Sequence, residues 1–271
     1  MSKIFDIGQN LLEILNISHY LEDDMYQQER LENILRLVKQ YGYVTVKYLV
    51  STLHYSNATI NRDLNALETQ KKVRRSYGGV EYIEKKGVPL PFRYDFMRTE
   101  KLKIGKKAAE FICDGDTVFI DASTTAEYMT EFLMEKKDLT VITNNMALVI
   151  HLSEYGIKTI CLGGKIVEPP CMLGGEDTVE TAMKYQANKM FFSTGYVSED
   201  GWIGEGIYGL LHIVMAQNSN EVYYLADHKK LGEKRLQRYL FDFSKVKGVI
   251  SDHEFSKEIK RKYPNTQFYK V

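Results

Sequence analysis

Cysteine and proline are scarce in this chain, and long apolar runs are missing from it. Cys113, Cys161 and Cys171 are odd in number and show no Cys-x-x-Cys spacing. They exclude a disulfide framework and a cysteine-built zinc site, and they suit a reducing cytoplasm in which free cysteines act as small buried hydrophobes. No apolar run approaches the ~18–20 residues a membrane span needs. The first residues lack a basic stretch followed by a short apolar block, so no secretory signal is expected. An overall excess of one charge is absent too, since 36 Lys and Arg balance 36 Asp and Glu.

What is present describes a globular protein. Hydrophobic residues make up 44% and charged residues 27% of 271 positions, a length at which two domains are expected. The neutral total hides an uneven distribution. Residues 1–25 carry one base and five acids, and residues 26–86 carry eleven bases and six acids, a net of +5. Residues 87–271 carry twenty-four bases and twenty-five acids, a net of −1. A local positive excess of this kind is what a phosphate-binding module requires.

Within that basic stretch, Val46, Leu49, Val50 and Leu53 fall at i, i+3, i+4 and i+7, so one helical face can be buried, with Thr45 placed to cap it. Ser56 stands in the same relation to a second helix whose buried face is Ile60, Leu64 and Leu67. The opposite face of that helix shows Asn57, Ala58, Asn61, Arg62 and Asn65. Amides, a small residue and a guanidinium are the groups that reach base edges and phosphates in a major groove. The spacing predicts a helix-turn-helix. Ahead of it, Leu31, Ile34, Leu35 and Val38 predict a supporting helix over 30–40, closed at Gly42. Behind it, residues 70–83 predict a hairpin turning at Gly78-Gly79, with Arg74 and Arg75 as a wing against backbone phosphate or the minor groove.

Residues 1–24 are acidic and apolar, and two readings of them stand. They form an extension for packing or dimerisation, or they lie outside the functional protein, since residues 25–30 read as a natural start. Residues 25–83 are then the DNA-binding domain. Residues 84–98, with Pro89 and Pro91, form a linker, and residues 99–271 form a second domain. A helix is expected over 99–113. Strands are expected over 117–120, 140–142, 158–162, 190–193, 222–226 and 248–250, alternating with helices as in a parallel α/β sheet. Small or polar residues follow each strand: Asp121 and Ser123-Thr124-Thr125, Thr143-Asn144, Gly163-Gly164-Lys165, Thr194-Gly195, Asp227 with Lys230, and Ser251-Asp252. The carboxyl ends of parallel strands line one sheet edge, where ligands bind. Hydroxyls and free N–H groups at a Ser-Thr-Thr turn suit phosphate, and Lys165 and Lys230 supply positive charge. Asp121, Asp227 and Asp252 can accept hydrogen bonds from sugar hydroxyls.

These segments together resemble the DeoR family of bacterial transcriptional regulators, over roughly residues 25–255. The most specific part is Ser56–Leu67, where the family reads Ser-x-x-Thr-Ile-Arg-Arg-Asp-Leu-x-x-Leu. The resemblance implies a winged helix-turn-helix joined to a sensor domain like ribose-5-phosphate isomerase. It also implies repression of a carbohydrate operon, relieved by a phosphorylated sugar. The DNA-binding residues are then Ser56, Asn57, Thr59, Asn61, Arg62, Asn65, Arg74, Arg75 and Tyr77. The effector-binding residues are Asp121, Ser123, Thr124, Thr125, Thr143, Asn144, Gly163, Gly164, Lys165, Asp227 and Lys230. Two departures stand out. Asn61 occupies the place of the first of two arginines, and the family's Glu-Ala pair with a following lysine is not evident around Gly206–His212.

The partners expected are double-stranded operator DNA, a sugar phosphate and further copies of the chain as homodimer or homotetramer, with no metal or cofactor and no membrane. A sugar-phosphate isomerase with an accessory DNA-binding domain is the alternative. Such an enzyme needs a carboxylate base, and Asp121, Asp227 and Asp252 are candidates by position, with His228 the histidine at a strand end. No segment pairs one of them with an obvious second acid or catalytic lysine, so a regulator that is not an enzyme is the reading expected here.

Overall fold

The computed structural model describes residues 27–83, 90–168, 171–205, 209–232 and 238–271, and the chain divides between Phe96 and Met97 into two compact units. The expected extension 1–24, the 84–89 part of the expected linker and positions 206–208 lie outside the described residues.

In the first unit, helix α1 spans residues 27–41 and buries Leu31, Ile34 and Val38. Strand β1 (Tyr43–Thr45) follows Gly42 directly. Helix α2 (Val46–Leu53) begins where the Thr45 hydroxyl accepts from the Tyr48 N–H, and it closes at His54 in the left-handed conformation. Helix α3 (Asn57–Thr69) is capped by Ser56, whose hydroxyl accepts from the Thr59 N–H, and it buries Ile60, Asp63, Leu64 and Leu67. Strands β2 (Val73–Ser76) and β3 (Gly79–Tyr82) form the hairpin, and β1 joins its free side to make a three-stranded antiparallel sheet in the order β1-β3-β2. A Cβ at Gly79 would stand 2.3 Å from the Val44 carbonyl oxygen, so only glycine lets β1 and β3 approach.

Asp63 shares the buried face of α3 and is the acid inside that core, answered by the guanidinium of Arg30 on α1 through Nε and, at 3.1 Å, Nη2. That bond holds Arg30 above its ordinary basicity. The short helix α4 (Leu90–Arg93) falls inside the segment expected as linker. Its Phe92 is buried edge-on against Tyr41, Tyr43 and Tyr48, which fastens that stretch to the first unit.

The second unit opens with α5 (Arg98–Ala109), followed by β4 (Thr117–Ile120) and the short α6 (Thr124–Glu127). Then come β5 (Thr140–Thr143), α7 (Met146–Glu154) and β6 (Lys158–Cys161). A two-stranded ribbon, β7 (Lys165–Glu168) with β8 (Met172–Gly174), leads to α8 (Glu176–Ala182) and β9 (Ala187–Phe192). Strands β10 (Tyr196–Ser198) and β11 (Trp202–Glu205), helix α9 (Gly209–Gln217) and strand β12 (Ser219–Ala226) follow. The chain finishes with β13 (Leu231–Gly232), β14 (Arg238–Asp242), β15 (Gly248–Ser251), α10 (Lys257–Lys262) and β16 (Gln267–Lys270).

Seven strands make one parallel sheet in the order β16-β15-β12-β9-β4-β5-β6. The strand period of two sends Phe119, Met190, Phe192 and Tyr224 into one core, with Leu211, Val214 and Met215 of α9. It sends Val118, Ile120, Phe191 and Leu225 into the other, with Ile104 and Ala108 of α5 and Leu148 of α7. Both faces are thus covered, which explains why these strands read as continuous apolar runs. Strands β13, β10, β11 and β14 form a separate four-stranded sheet. Of the three cysteines only Cys171 is buried. Cys113 lies beyond α5 and Cys161 ends an edge strand, so the expectation of three buried thiols is corrected at these two.

The topology has one switch point. From β4 the chain builds outward through β5 to β6, then returns to place β9 on the other side of β4 and builds outward again through β12, β15 and β16. The order therefore reverses between β4 and β9. The crevice beyond the carboxyl ends of these two strands is where an open α/β sheet binds its ligand.

Candidate functional site

Two polar surfaces carry chemistry, one in each unit. On α3, Asn57, Ala58, Arg62 and Asn65 are exposed and Asn61 is half-buried, on the side away from Ile60, Leu64 and Leu67. Ser56 and Thr59 share a 2.9 Å hydroxyl contact at the start of the helix. The exposed N-terminal turn of such a helix is the part that reaches base edges.

The two wing arginines part company. Arg74 and Arg75 alternate across β2. Arg74 is exposed and donates to Glu81, its partner on β3, at 2.7 Å, which raises its basicity. Arg75 turns toward α3: its Nη2 donates to Asn61 Oδ1 at 2.6 Å, and its backbone N–H donates to Glu68 at 2.8 Å. Tyr77, exposed at the hairpin tip, has its carbonyl bonded by the Tyr43 hydroxyl and its ring edge-on to Phe96.

In the second unit the β4/β9 crevice gathers groups from distant parts of the chain. Asp121, 3% exposed, directly follows β4 and is surrounded by donors. Its Oδ1 accepts from the Ser123 N–H at 3.2 Å and the Ser123 hydroxyl at 2.5 Å. Its Oδ2 accepts from the Ser193 N–H at 3.2 Å and lies 3.1 Å from His212 Nε2. One carboxylate thus joins the β4 turn, the end of β9 and helix α9, and its lone pairs are engaged inside the protein.

Beside it, two ammonium groups converge on consecutive hydroxyls. Lys101 Nζ donates to Thr124 at 3.0 Å, and Lys230 Nζ donates to Thr125 at 2.8 Å and to Ser193 at 2.5 Å. Asp227 stands 3.9 Å from Lys230 and caps the following turn through the Lys229 N–H. Next along the edge, Thr143 accepts from the Asn145 N–H, and Asn145 caps α7 and donates to Glu127 at 2.7 Å. Asn144 donates to the Leu173 carbonyl at 2.8 Å, while its buried Oδ1 has no donor among the described residues.

Other expected groups stand differently. Gly163 and Gly164 have positive φ, and a Cβ at Gly164 would meet the Thr178 hydroxyl at 2.0 Å, so tight backbone packing accounts for that glycine. Lys165 opens the β7–β8 ribbon and is exposed. His228 and Asp252 bond each other, Nδ1 to Oδ2 at 2.5 Å and the His228 N–H to Oδ1 at 2.7 Å.

Lys101, Ser193 and His212 join the crevice without having been singled out by sequence pattern. For Lys101 a signal existed. With Ile104, Gly105 and Ala108 it holds the i, i+3, i+4, i+7 positions of the buried face of α5, a cation inside an apolar stripe.

Comparison with known proteins agrees with this division. A family model described as the DeoR C terminal sensor domain matches residues 97–253, and one described as a DeoR-like helix-turn-helix domain matches residues 30–86. The HTH-type transcriptional repressor GlcR of Bacillus subtilis (strain 168) is 35% identical over 232 residues, covering 84% of this chain and 89% of the relative. The glycerol-3-phosphate regulon repressor of Escherichia coli (strain K12) is 30% identical over 233 residues, covering 84% and 92%. The lactose phosphotransferase system repressor of Staphylococcus aureus (strain NCTC 8325 / PS 47) is 27% identical over 242 residues, covering 87% and 96%. Among solved structures, ribose 5-phosphate isomerase A from Methanocaldococcus jannaschii is similar at 19% identity, with a TM-score of 0.39 over 51% of this chain and 56% of that one.

Proposed function

The chain belongs to the DeoR family of DNA-binding transcriptional regulators, and from that premise we propose that it represses a carbohydrate-metabolism operon and is released from its operator by a phosphorylated sugar. The observation that carries the effector class is the pair of ammonium groups, Lys101 and Lys230, on the consecutive hydroxyls of Thr124 and Thr125 at the switch-point crevice. A phosphate there gains two charge-assisted partners and the hydroxyls of Ser123, Thr124 and Thr125, and excludes water from them. Asn144 supplies an acceptor for a sugar hydroxyl. A buried acceptor without a donor costs about 1–3 kcal/mol, which a bound hydroxyl relieves. The names of relatives that regulate glycerol-3-phosphate and lactose phosphotransferase genes support the same class of effector.

Operator contact falls to Ser56, Asn57, Thr59, Arg62 and Asn65 of the α3 region and to Arg74 and Tyr77 of the wing, while Arg75 is turned to Asn61. Helix-turn-helix proteins read inverted half-sites as dimers, so a homodimer or homotetramer working on DNA in the cytoplasm completes the reading. Among the described residues no helix is long and apolar enough to cross a membrane.

We assign no catalytic step to the crevice. The carboxylates of Asp121 and Asp252 are each taken up by donors of the protein itself, leaving neither in the position of a base beside a substrate carbon. Fluorescence anisotropy with the upstream region of the protein's own operon and a panel of sugar phosphates tests the proposal. One sugar phosphate should release the wild type, and Lys230→Met should bind the operator unchanged yet ignore that ligand. Turnover of any sugar phosphate at enzyme-like rates would reverse the assignment.

A further inference from the structure

Asn61 lies on the DNA-facing side of α3, yet its amide is occupied on both ends. Its Oδ1 accepts from Arg75 of the wing at 2.6 Å. Its Nδ2 donates to the Asn57 carbonyl oxygen at 2.9 Å and to Asn57 Oδ1. Both N–H donors of the Asn61 amide and one of the two lone pairs of its oxygen are thus engaged within the protein. The helical period puts Asn57, Asn61 and Glu68 on one side of α3, at i, i+4 and i+11, beside edge strand β2. Glu68 takes the Arg75 N–H at 2.8 Å, so the same wing residue is held to the helix by its backbone as well as by its side chain.

The consequence reaches Asn57, the first residue of α3 and fully on its exposed surface. One lone pair of Asn57 Oδ1 is taken by Asn61, which fixes the amide and leaves its Nδ2 donors for a base. The two-point recognition of adenine by asparagine needs acceptor and donor aligned together, whereas a donor alone matches N7 or O6 of guanine, O4 of thymine or N7 of adenine, and finds no acceptor on cytosine.

Resting on the DNA-binding reading above, we propose that Arg75, Asn61 and Asn57 form a relay in which a wing residue sets base preference. Arg75 is a positioning residue that fixes Asn61, Asn61 fixes the amide of Asn57, and Asn57 reads a major-groove acceptor in each half-site. An arginine at position 61 has no acceptor for Arg75. The relay therefore depends on the asparagine that this chain carries there.

The test is selection of operator variants from a randomised half-site library, followed by salt titrations of the best sequence, using the full chain and its Arg75→Ala, Asn61→Ala and double variants. Wild type should select one position bearing guanine or thymine over cytosine. Arg75→Ala and Asn61→Ala should each relax that preference on the order of tenfold. The double variant should relax it no further than either single one, because both break one chain of bonds. The salt slope of Arg75→Ala should match the wild type. Uniform weakening over all sequences, with the slope smaller by about 1 and base preference kept, is the signature of a plain phosphate contact and overturns the relay. Should Arg75→Ala not fold, Asn61→Ala decides alone, since retention of base preference there breaks the chain at its middle. Loss of all specific binding by the wild type overturns the DNA-binding reading, and the relay with it.

Discussion

Along α3 the polar side chains other than Asp63 stand outside the core, whereas at the β4/β9 crevice they stand within it. Asn57, Arg62 and Asn65 come from a few turns of one helix and are exposed. Lys101, Asp121, Thr125, Ser193 and His212 come from separate elements and are each buried. The difference follows from what each surface meets. DNA is an extended polyanion read by groups that keep their hydration until contact. A small ligand has to be enclosed, so the groups that would receive it are desolvated beforehand and must hold one another in place. Substitutions on the first surface should therefore alter binding and leave folding alone, while those in the crevice should alter both.

The largest effect is expected where the first unit departs from that rule. Arg30→Ala leaves Asp63 charged and enclosed in the core, and the loss should be about 3–5 kcal/mol in denaturant unfolding followed by circular dichroism. Replacing both partners together by apolar residues should recover most of it, and failure to recover would mean that the pair also positions α3.

Next comes Asp121→Ala. As the acceptor for four donors, Asp121 is expected to behave as a structural hub. Its loss should cost about 2–3 kcal/mol in the unfolding of the second unit and abolish effector response, with operator affinity retained. An unchanged unfolding curve with a lost response would instead make Asp121 a ligand contact alone.

On the exposed surface, Arg62→Ala should leave unfolding within about 0.5 kcal/mol of wild type. It should weaken binding to every sequence and reduce the slope of log affinity against log salt by about 1. Smallest of all is Arg74→Ala. Its ion pair with Glu81 is largely solvated, and such pairs contribute about 0–1 kcal/mol, so thermal unfolding should barely move. A measurable gain in affinity for this variant would show that Glu81 restrains Arg74 from phosphate.

How much of this was legible in the residues follows the same divide. The helix-turn-helix could be read because its signals are local: Thr45 and Ser56 as caps, each followed by an apolar stripe at helical spacing. Six of the seven strands of the parallel sheet were legible as short apolar runs, and their polar followers line its carboxyl edge. Strand β1 was not, since three residues give no period to detect and its pairing with β3 is non-local. The four-stranded sheet β13-β10-β11-β14 and strand β16 were not read either. Arg75 read as one half of a basic wing. The strand period puts it and Arg74 on opposite faces, and only the fold shows that its face is the one toward α3. For Asp121 sequence shows a charge after a strand and hides the four donors around it, two of which come from distant elements.

The central claim is that the crevice controls the helix-turn-helix through a phosphorylated sugar. The most direct measurement is anisotropy of the full chain on the upstream region of its own operon, titrated with a panel of sugar phosphates and with the matching unphosphorylated sugars. Salt-sensitive, sequence-specific binding released by one sugar phosphate and not by its unphosphorylated form is the predicted result. Specific binding released equally by the unphosphorylated sugar would contradict the roles given to Lys101 and Lys230, and specific binding that no member of the panel disturbs would contradict the effector class itself.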